Sequence, residues 1–526
     1  MGDAMNTAAS GAALQLAAIV PAAARVAVLF GGAAAGEADD VIGAAGAALL
    51  RRNPRMRVQG FVATREAAAL AAGQMTSAAA FRAAEVDLRD YGIHAADCIA
   101  YAPEALDGLT PEALARHAEA LAEDGQMAFL VADKTDAAAE AIVQMLPEGM
   151  QRIVTRLDAE TLVLHAARRP RPTVSVQSLL GEALVTARVR IGEPDAFCSA
   201  EPGWFFTVNA QGVVNRKLAA ATDASIVVRQ RATFSNVGIA LAATKQLREM
   251  FGLIVYELDD HPVRWKEGHE ASRYLDFRAS HAVQVSTPAL AEVVRPYNPH
   301  VIVLENQLAE LPPTRDYAAE AAAKDGRVTI FFGALNRSEE WRELVPVLER
   351  VAARYGDKLE FVVLADTASY RALDVPHKRS LGTPASYDSQ FVPYPVYTQA
   401  LHSADIALLP LHDTIFNRAK SDLKFIESAG HGAAVLASPV VYARTVVDGC
   451  TGCLYGDLRA FEAKLVRLIE NAPYRQAIAR AAYGYVRDHR LLAQHYRERL
   501  AAYAQLLAHR AELDRELDAR VKEALS

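Results

Sequence analysis

The chain has 526 residues, 52% hydrophobic and 23% charged, with a formal net charge of −7, and that length suits about three domains of roughly 100 to 200 residues each. This balance excludes a largely disordered chain. Charges of both signs are interspersed, which leaves no global basic field for a nucleic-acid partner, so any anion must be held at a focused local site. Cys98, Cys198, Cys450 and Cys453 are too few and too scattered for a disulfide framework and suit a reducing cytoplasm.

In chain order, residues 1–24 read as a flexible tail. The alanine-rich stretch 11–24 is interrupted by Gln15 and Pro21 and has no basic residue before it, which fits neither a signal peptide nor a membrane helix. A strand over 25–30 enters Gly31 and Gly32, a helical stretch follows to Arg51, and further strands are expected near 58–63 and 96–101. Thr110-Pro111-Glu112 is a strong helix start, with threonine as cap and proline in the first turn. That helix should stop before Asp124-Gly125, which leads into a strand over 127–132. Residues 152–155 and 161–165 read as a hairpin around 157–160. Arg168-Arg169-Pro170-Arg171-Pro172 reads as a linker, stiffened by two prolines and solvated by three arginines.

A second alternating series follows, with strands expected over 173–177, 204–208, 225–229, 254–258, 282–286 and 301–304. A third has strands over 328–332, 359–364, 406–409 and 433–437. The fold class expected is therefore α/β with three Rossmann-like units. The divisions are 25–169, 173–310 and 325–475, with C-terminal helices over 476–526 packing back on the middle unit. Leu506, Leu513, Leu517 and Val521 also suit a short interhelical seam, which keeps an oligomer open as the lesser reading.

The stretch from Asn417 to Tyr455 carries the most chemistry. Ser421 is expected to cap a helix that begins at Asp422 and ends at the Gly430/Gly432 breakers. On it Lys424, Glu427 and Ser428 share one face, while Leu423, Ile426 and Gly430 turn toward a neighbouring layer. A helix N-terminus offers unpaired N–H groups and partial positive charge, to which Lys420 and Lys424 add point charges suited to a pyrophosphate. Glu427 is placed to accept from a hydroxyl pair. The plain alternative is a solvated Lys420 and a Lys424–Glu427 surface pair worth roughly 0.2–0.5 kcal/mol. Cys450-Thr-Gly-Cys453 lacks the second pair that a zinc site needs and reads as small residues around a tight turn.

This segment resembles the donor half of GT-B glycosyltransferases, in particular family 4-like bacterial polysaccharide enzymes, whose pattern is met here by Phe416, Asn417, Lys420, Ser421, Asp422, Lys424 and Glu427, then Asp448, Gly449 and Gly452. The family's second glutamate, eight residues before Glu427, is replaced by Ala419. The resemblance extends over about 173–500: residues 226–231 resemble the family's strand ending in a basic residue, 255–260 its strand ending in paired aspartates, and 303–306 the strand and asparagine that lead into the donor domain. It implies donor contacts at Gly333, Asn336, Arg337, Tyr394, Lys420, Ser421, Lys424 and Glu427, with Tyr394 stacking on a base or simply packing.

Asp259, Asp260 and His261 follow a strand's C-terminal end, where ligands of open α/β sheets bind, and are the candidate catalytic residues. One aspartate acts as general base, or the pair orients acceptor hydroxyls while the departing phosphate takes the proton. A carboxylate capping the next helical turn is the competing local reading. The implied activity is a metal-independent, hexosyltransferase-type glycosyltransferase. It moves a sugar from a nucleotide diphosphate sugar to a glycan or lipid-linked glycan acceptor in bacterial surface polysaccharide synthesis. It needs no cofactor and is cytoplasmic, meeting the inner membrane at most peripherally. Both retention and inversion of configuration fit.

Residues 25–169 resemble S-adenosylmethionine-dependent methyltransferases in their alternating pattern, terminal hairpin and the segment 96–101. The cofactor landmarks are degenerate: residues 31–36 lack the G-x-G-x-G spacing, and Thr64 stands where an acidic residue normally holds the ribose. Asp87 is left as either an adenine contact or an ordinary loop aspartate. A domain kept for interaction or acceptor placement is the first reading; a bifunctional methyltransferase–glycosyltransferase and a non-catalytic scaffold are the alternatives.

Overall fold

The computed structural model describes residues 11–31, 39–132, 137–156, 160–181, 185–209, 212–333, 337–364, 367–381 and 392–526. The first sheet uses β1 (Val26–Phe30), β2 (Arg57–Val62), β3 (Ser77–Ala80), β4 (Ala96–Tyr101), β5 (Leu121–Val131), β6 (Gln151–Arg156) and β7 (Leu162–Ala167). Their order is β3-β2-β1-β4-β5-β7-β6. All pair in parallel except β7, which runs antiparallel between β5 and β6. The second sheet, β13-β12-β11-β10-β8-β9, is built from β8 (Val174–Leu180), β9 (Trp204–Asn209), β10 (Ala224–Gln230), β11 (Leu253–Leu258), β12 (Ala282–Val285) and β13 (Val301–Val303). The third, β16-β15-β14-β17-β18-β19, uses β14 (Val328–Phe332), β15 (Leu359–Leu364), β16 (Lys378–Leu381), β17 (Ile406–Leu409), β18 (Ala434–Ala437) and β19 (Cys453–Leu454). Both six-stranded sheets are parallel throughout.

The strands are short apolar runs because each sheet is covered on both faces. Along β1, Ala27 and Leu29 pack with Ile42 and Leu49 on one side, while Val28 and Phe30 pack with Phe61, Tyr101 and Phe129 on the other. The period of two follows from alternating side chains on a strand. The three units are Rossmann-like, as their alternating pattern implies.

Several local expectations change. Residues 11–18 are helical, and Leu16, Ala17, Ile19 and Val20 are buried against the first sheet. Residues 11–24 are thus part of the first unit rather than a tail; their alanines present a smooth apolar surface that a sheet-covering helix needs. β5 starts at Leu121 and runs through Asp124-Gly125, with a register shift opposite Ala96/Cys98. A Cβ at Gly125 would lie 2.7 Å from the Ala96 carbonyl oxygen, so this glycine permits the irregularity instead of marking a turn.

The C-terminal crossing comes later than 476. The helix Ala472–His489 keeps Ala482 and Val486 in the third unit's core. The next helix, Leu492–Ala508, puts Tyr503 and Leu506 under the second sheet. The candidate seam is consumed inside the chain, with Leu513 in that same core and Val521 against the helical cluster of Phe234 and Leu275. Among the described residues no helix is long and apolar enough to cross a membrane.

Truncating a fully buried leucine costs about 2–5 kcal/mol. Leu16→Ala is therefore expected to destabilise the first unit by that amount in urea titration; an unchanged denaturation curve would restore the flexible-tail reading.

Candidate active site

Candidate residues gather at the C-terminal ends of strands in the two parallel sheets. Asp259 and Asp260 follow β11, and the helix Leu423–Gly430, with Lys420 and Ser421 just before it, comes from the third sheet. Lys420 crosses between them, its Nζ 3.1 Å from Asp260 Oδ1 and 4.3 Å from the Phe416 ring centroid. Thr287 Oγ1 donates to the Ala419 carbonyl at 2.9 Å, which joins the sheets again beside the same loop.

Beneath the aspartates lies Arg231. Its Nε donates to Asp259 Oδ1 at 2.6 Å and a terminal nitrogen to Asp260 Oδ2 at 3.2 Å. Its backbone is left-handed, with φ +50°, a conformation that strains a non-glycine residue by about 1–3 kcal/mol. The two carboxylate bonds and a backbone bond to Glu257 O hold it there. Burial raises the Asp260 pKa, but Lys420, Arg231 and Arg264 outweigh it and hold the carboxyl below its ordinary value. Burial also lowers the pKa of Lys420, against Asp260.

Asp260 is therefore an anion held between cations, and neither aspartate caps the following turn. That cap is His261, whose Nδ1 accepts from the Val263 N–H at 3.1 Å. Burial lowers the His261 pKa, so the ring is neutral near pH 7. With Nδ1 accepting, its proton sits on Nε2.

On the donor side Glu427 is buried. Its Oε2 accepts from Lys424 Nζ at 3.0 Å and from Tyr397 OH at 2.8 Å, and Lys424 Nζ also donates to Tyr397 OH at 2.9 Å. This closes a three-membered ring that the lysine–glutamate spacing alone did not disclose. Tyr394 opens the helix Tyr394–Ser403 and carries the Arg188 guanidinium 3.6 Å from its ring centroid. Arg337 sits near Glu340 and Asn417, at 3.3 Å from each acceptor. Gly333 follows β14, where a Cβ would strike the Phe331 ring at 2.4 Å. Asn336 lies outside the described residues.

Ser421 is not the helix cap. The helix starts at Leu423, Asp422 occupies the cap position without a side-chain cap bond, and Ser421 Oγ instead accepts from Asn306 Nδ2 at 2.8 Å. Asp422 turns away because Arg490 donates to both its oxygens and Thr445 Oγ1 donates to Oδ2. A charged fork outcompetes the neutral N–H groups of the helix end. Asn306 Oδ1 in turn accepts from Arg190 at 2.9 Å, and Arg190 pairs with buried Glu257 at 2.7 Å. Among the described residues no group of three or more His, Cys, Asp or Glu side chains is arranged to hold a metal ion.

In the first unit, Thr64 caps the helix Arg65–Ala72 by accepting from Ala67 N–H. Asp87 caps the turn Leu88–Tyr91 and pairs with Arg89 at 2.8 Å. The glycine loop beyond Gly31 falls outside the described residues.

Residues 326–471 match the family model described as Glycosyl transferases group 1, a stretch that contains all of β14 to β19 and the Lys424–Glu427 helix. The third unit is a group 1 glycosyltransferase domain, and the chain is a glycosyltransferase. No curated protein matches it. Among solved structures it is similar to Alr3699/HepE of Anabaena in complex with UDP and glucose, at 12% identity over 64% of this chain and 100% of that one, TM-score 0.45. It is also similar to an α,α-trehalose-phosphate synthase (UDP-forming) from Burkholderia vietnamiensis, at 13% identity over 65% and 99%, TM-score 0.43. A third is a sucrose-phosphate synthase from Thermosynechococcus elongatus, at 11% identity over 64% and 100%, TM-score 0.45.

A depressed carboxylate pKa contributes stability that is fully present above the unfolded value and is lost as pH falls through the folded one. Asp260 is lowered from 3.8, so its contribution should hold from pH 7 to below pH 5 and vanish only as pH falls below 3.8. Asp260→Asn should remove that acid-dependent component in denaturant titrations run across pH. An Asp260→Asn profile parallel to wild type down to pH 3 would show that the carboxylate contributes nothing.

Proposed function

We propose that the second and third units form a GT-B pair that transfers a sugar from a nucleotide diphosphate sugar to a glycan or lipid-linked glycan acceptor in bacterial surface polysaccharide synthesis. The observation that carries this reading is the ring of Lys424, Glu427 and Tyr397 inside the group 1 domain, on the helix that follows Lys420, whose ammonium meets Asp260 of the second unit. Lys424 supplies positive charge for the donor phosphates, and Glu427 accepts from ribose hydroxyls in place of Tyr397. Gly333 lets backbone approach a phosphate, and Arg337 adds a guanidinium fork. Asn336 and Ser421 complete the donor side. Tyr394 offers its ring to the base once Arg188 moves off it.

In the reaction the bond between the anomeric carbon and the diphosphate oxygen breaks, and a bond to the acceptor oxygen forms. The acceptor proton leaves with the departing phosphate. Asp259 and Asp260 orient the acceptor hydroxyl: a general base works best with a pKa near the operating pH, and Asp260 is held below the ordinary carboxylate range. His261, with its proton on Nε2, donates a hydrogen bond to substrate rather than taking a proton. Positive charge at the helix end and on Lys424 offsets charge on the leaving diphosphate without a bound metal. The protein works in the cytoplasm, with peripheral contact where its acceptor is membrane-anchored.

The first unit is read as methyltransferase-like and not methylating. Its strand order, with one antiparallel strand between the last two, supports the likeness. Thr64 spent on a cap and Asp87 spent on Arg89 support the loss of cofactor binding. Calorimetry with S-adenosylmethionine is expected to show no heat at millimolar cofactor. Micromolar binding abolished by Asp87→Ala would establish the bifunctional alternative.

A charge-assisted contact contributes about 1.5–3 kcal/mol. Lys424→Ala and Glu427→Ala should therefore each reduce use of the preferred donor, found by screening UDP, GDP, dTDP and CMP sugars for binding and hydrolysis, by about 10- to 100-fold. Tyr397→Phe, which removes the hydroxyl competing for Glu427, should retain donor use. Wild-type turnover in both folded alanine variants would exclude this donor site, and no binding of any nucleotide sugar would favour a scaffold.

A further inference from the structure

A cavity of about 330 Å³ lies where all three units meet. The first unit contributes Arg51 and Arg52, the second Arg188 and Phe197, the linker Leu311, and the third Tyr394. Three guanidinium groups meet only two carboxylates among the lining residues, Glu193 and Glu310. The acids are engaged: Glu310 faces Arg51 at 3.4 Å and Arg52 at 3.6 Å, and Glu193 accepts from Arg188 at 2.7 Å. Burial, together with the nearby charges of Glu427 and Glu310, raises the Glu193 pKa despite Arg188. Counted over the lining side chains alone, three guanidinium groups against two carboxylates leave one cation in excess.

Arg52 is the least satisfied member. Its guanidinium is mostly buried, with side-chain exposure of 17%, and burial lowers its pKa. One terminal nitrogen donates to Ala17 O at 3.1 Å, while buried Nε makes no hydrogen bond and has only the Glu310 carboxylate 3.6 Å away. A buried donor left unmade is costly, and an oxyanion is the group that an arginine fork matches best. Phe197, Leu311 and the Tyr394 ring supply apolar walls. Pockets of about 300 Å³ and above, apolar with a few placed charges, are the size in which small ligands are held.

We propose that this cavity binds a phosphate ester of a compact ring, a sugar phosphate or a nucleoside monophosphate, with the phosphate between Arg51, Arg52 and Arg188 and the ring against Phe197 and Leu311. The site adjoins the donor pocket, with Tyr394 common to both and Arg188 in its own lining. That guanidinium lies on Tyr394, the ring assigned above to the donor base. An anion drawing Arg188 toward Arg52 uncovers Tyr394, so occupancy favours donor binding. This coupling rests on the donor site proposed above; binding of the phosphate ester does not.

The test is calorimetry on the full-length protein with glucose 1-phosphate and, separately, UMP, which distinguishes the two sources. At least one should bind wild type, with affinity reduced about 10-fold or more by Arg52→Ala and by Arg188→Ala. Arg52→Lys keeps the charge and most of the buried stem and should retain part of the affinity, which guards against a folding defect in Arg52→Ala. Glu427→Ala should not weaken this binding even where it abolishes donor use, since it removes a negative charge near Glu193. The proposal is overturned if neither compound binds at millimolar concentration or if the Arg52 variants bind as wild type does. Equal losses in Glu427→Ala and Arg52→Ala would also overturn it, because they would place the ligand in the donor pocket.

Discussion

The Arg490 guanidinium holds three separate pieces of chain together at the base of the catalytic junction. It donates to both oxygens of Asp422 at the start of the Lys424–Glu427 helix, to the Asn306 carbonyl at 2.9 Å and to Gln307 Oε1 at 3.0 Å. Helix, outgoing linker and returning segment thus meet at one buried cation. Burial opposes the charge, yet Asp422 raises the arginine pKa above its ordinary value. Breaking such a pair from one side costs about 3–5 kcal/mol because the remaining charge stays buried and unpaired. The backbone adds a second tie at the same place: Leu308 N–H donates to Arg490 O, and Leu492 N–H donates to Leu308 O, both at 2.9 Å. A fixed point here sets the placement of the helix that carries Lys424 and Glu427.

The site is electrostatically self-satisfied. Lys420 has Asp260, Lys424 has Glu427, and Arg188 lies on Tyr394 beside Glu193. Every cation offered to an anionic donor is therefore held by an internal partner that the donor must displace. Exchange of one ion pair for another costs less than uncovering a bare charge, because the released carboxylate can turn to ligand hydroxyls or to solvent. Under the proposed function Glu427 exchanges a tyrosine hydroxyl for sugar hydroxyls of the same kind. Asp260 differs. It keeps Arg231 even when Lys420 leaves, so the acceptor side retains its geometry while the donor side exchanges partners.

Strand positions were legible where three or more apolar residues ran together, as in β4, β14, β15 and β17, which coincide with the expected ranges. The missed strands carry a weaker signal. β3 is Ser77–Ala80, and alanine has little strand preference of its own; it is a strand because β2 offers an edge in parallel register. β16, Lys378–Leu381, is a charged edge strand of the sort that discourages further pairing. At the site, the face shared by Lys424 and Glu427 was readable from helical spacing, whereas the role of Arg231 was not: residues 226–231 only resembled a family strand ending in a basic residue. The partners were not. Asp422 and Arg490 are 68 residues apart, and nothing local distinguishes Arg490 from a solvated arginine at a helix end. Ser421 in a cap position was a sound local expectation that lost to Asn306, which only the folded linker brings near.

The first unit touches the hinge more than it touches either sheet's catalytic end. Arg51 O accepts from Leu311 N–H at 2.8 Å, Arg55 meets Asp488 at 3.2 Å, and Gln126 Nε2 donates to Ala200 O at 3.0 Å. It therefore bears on both linkers between the second and third units and on the second unit itself. The ion pairs among these contacts are exposed, with side-chain exposures of 68% and 33% for Arg55 and Asp488, and such pairs are worth only about 0–1 kcal/mol each. Most of the hold comes instead from the buried cluster in which Ala22 packs with Phe197, Leu492 and Tyr496. The helix end of the first unit supplies Arg51 and Arg52 to the junction of the three units.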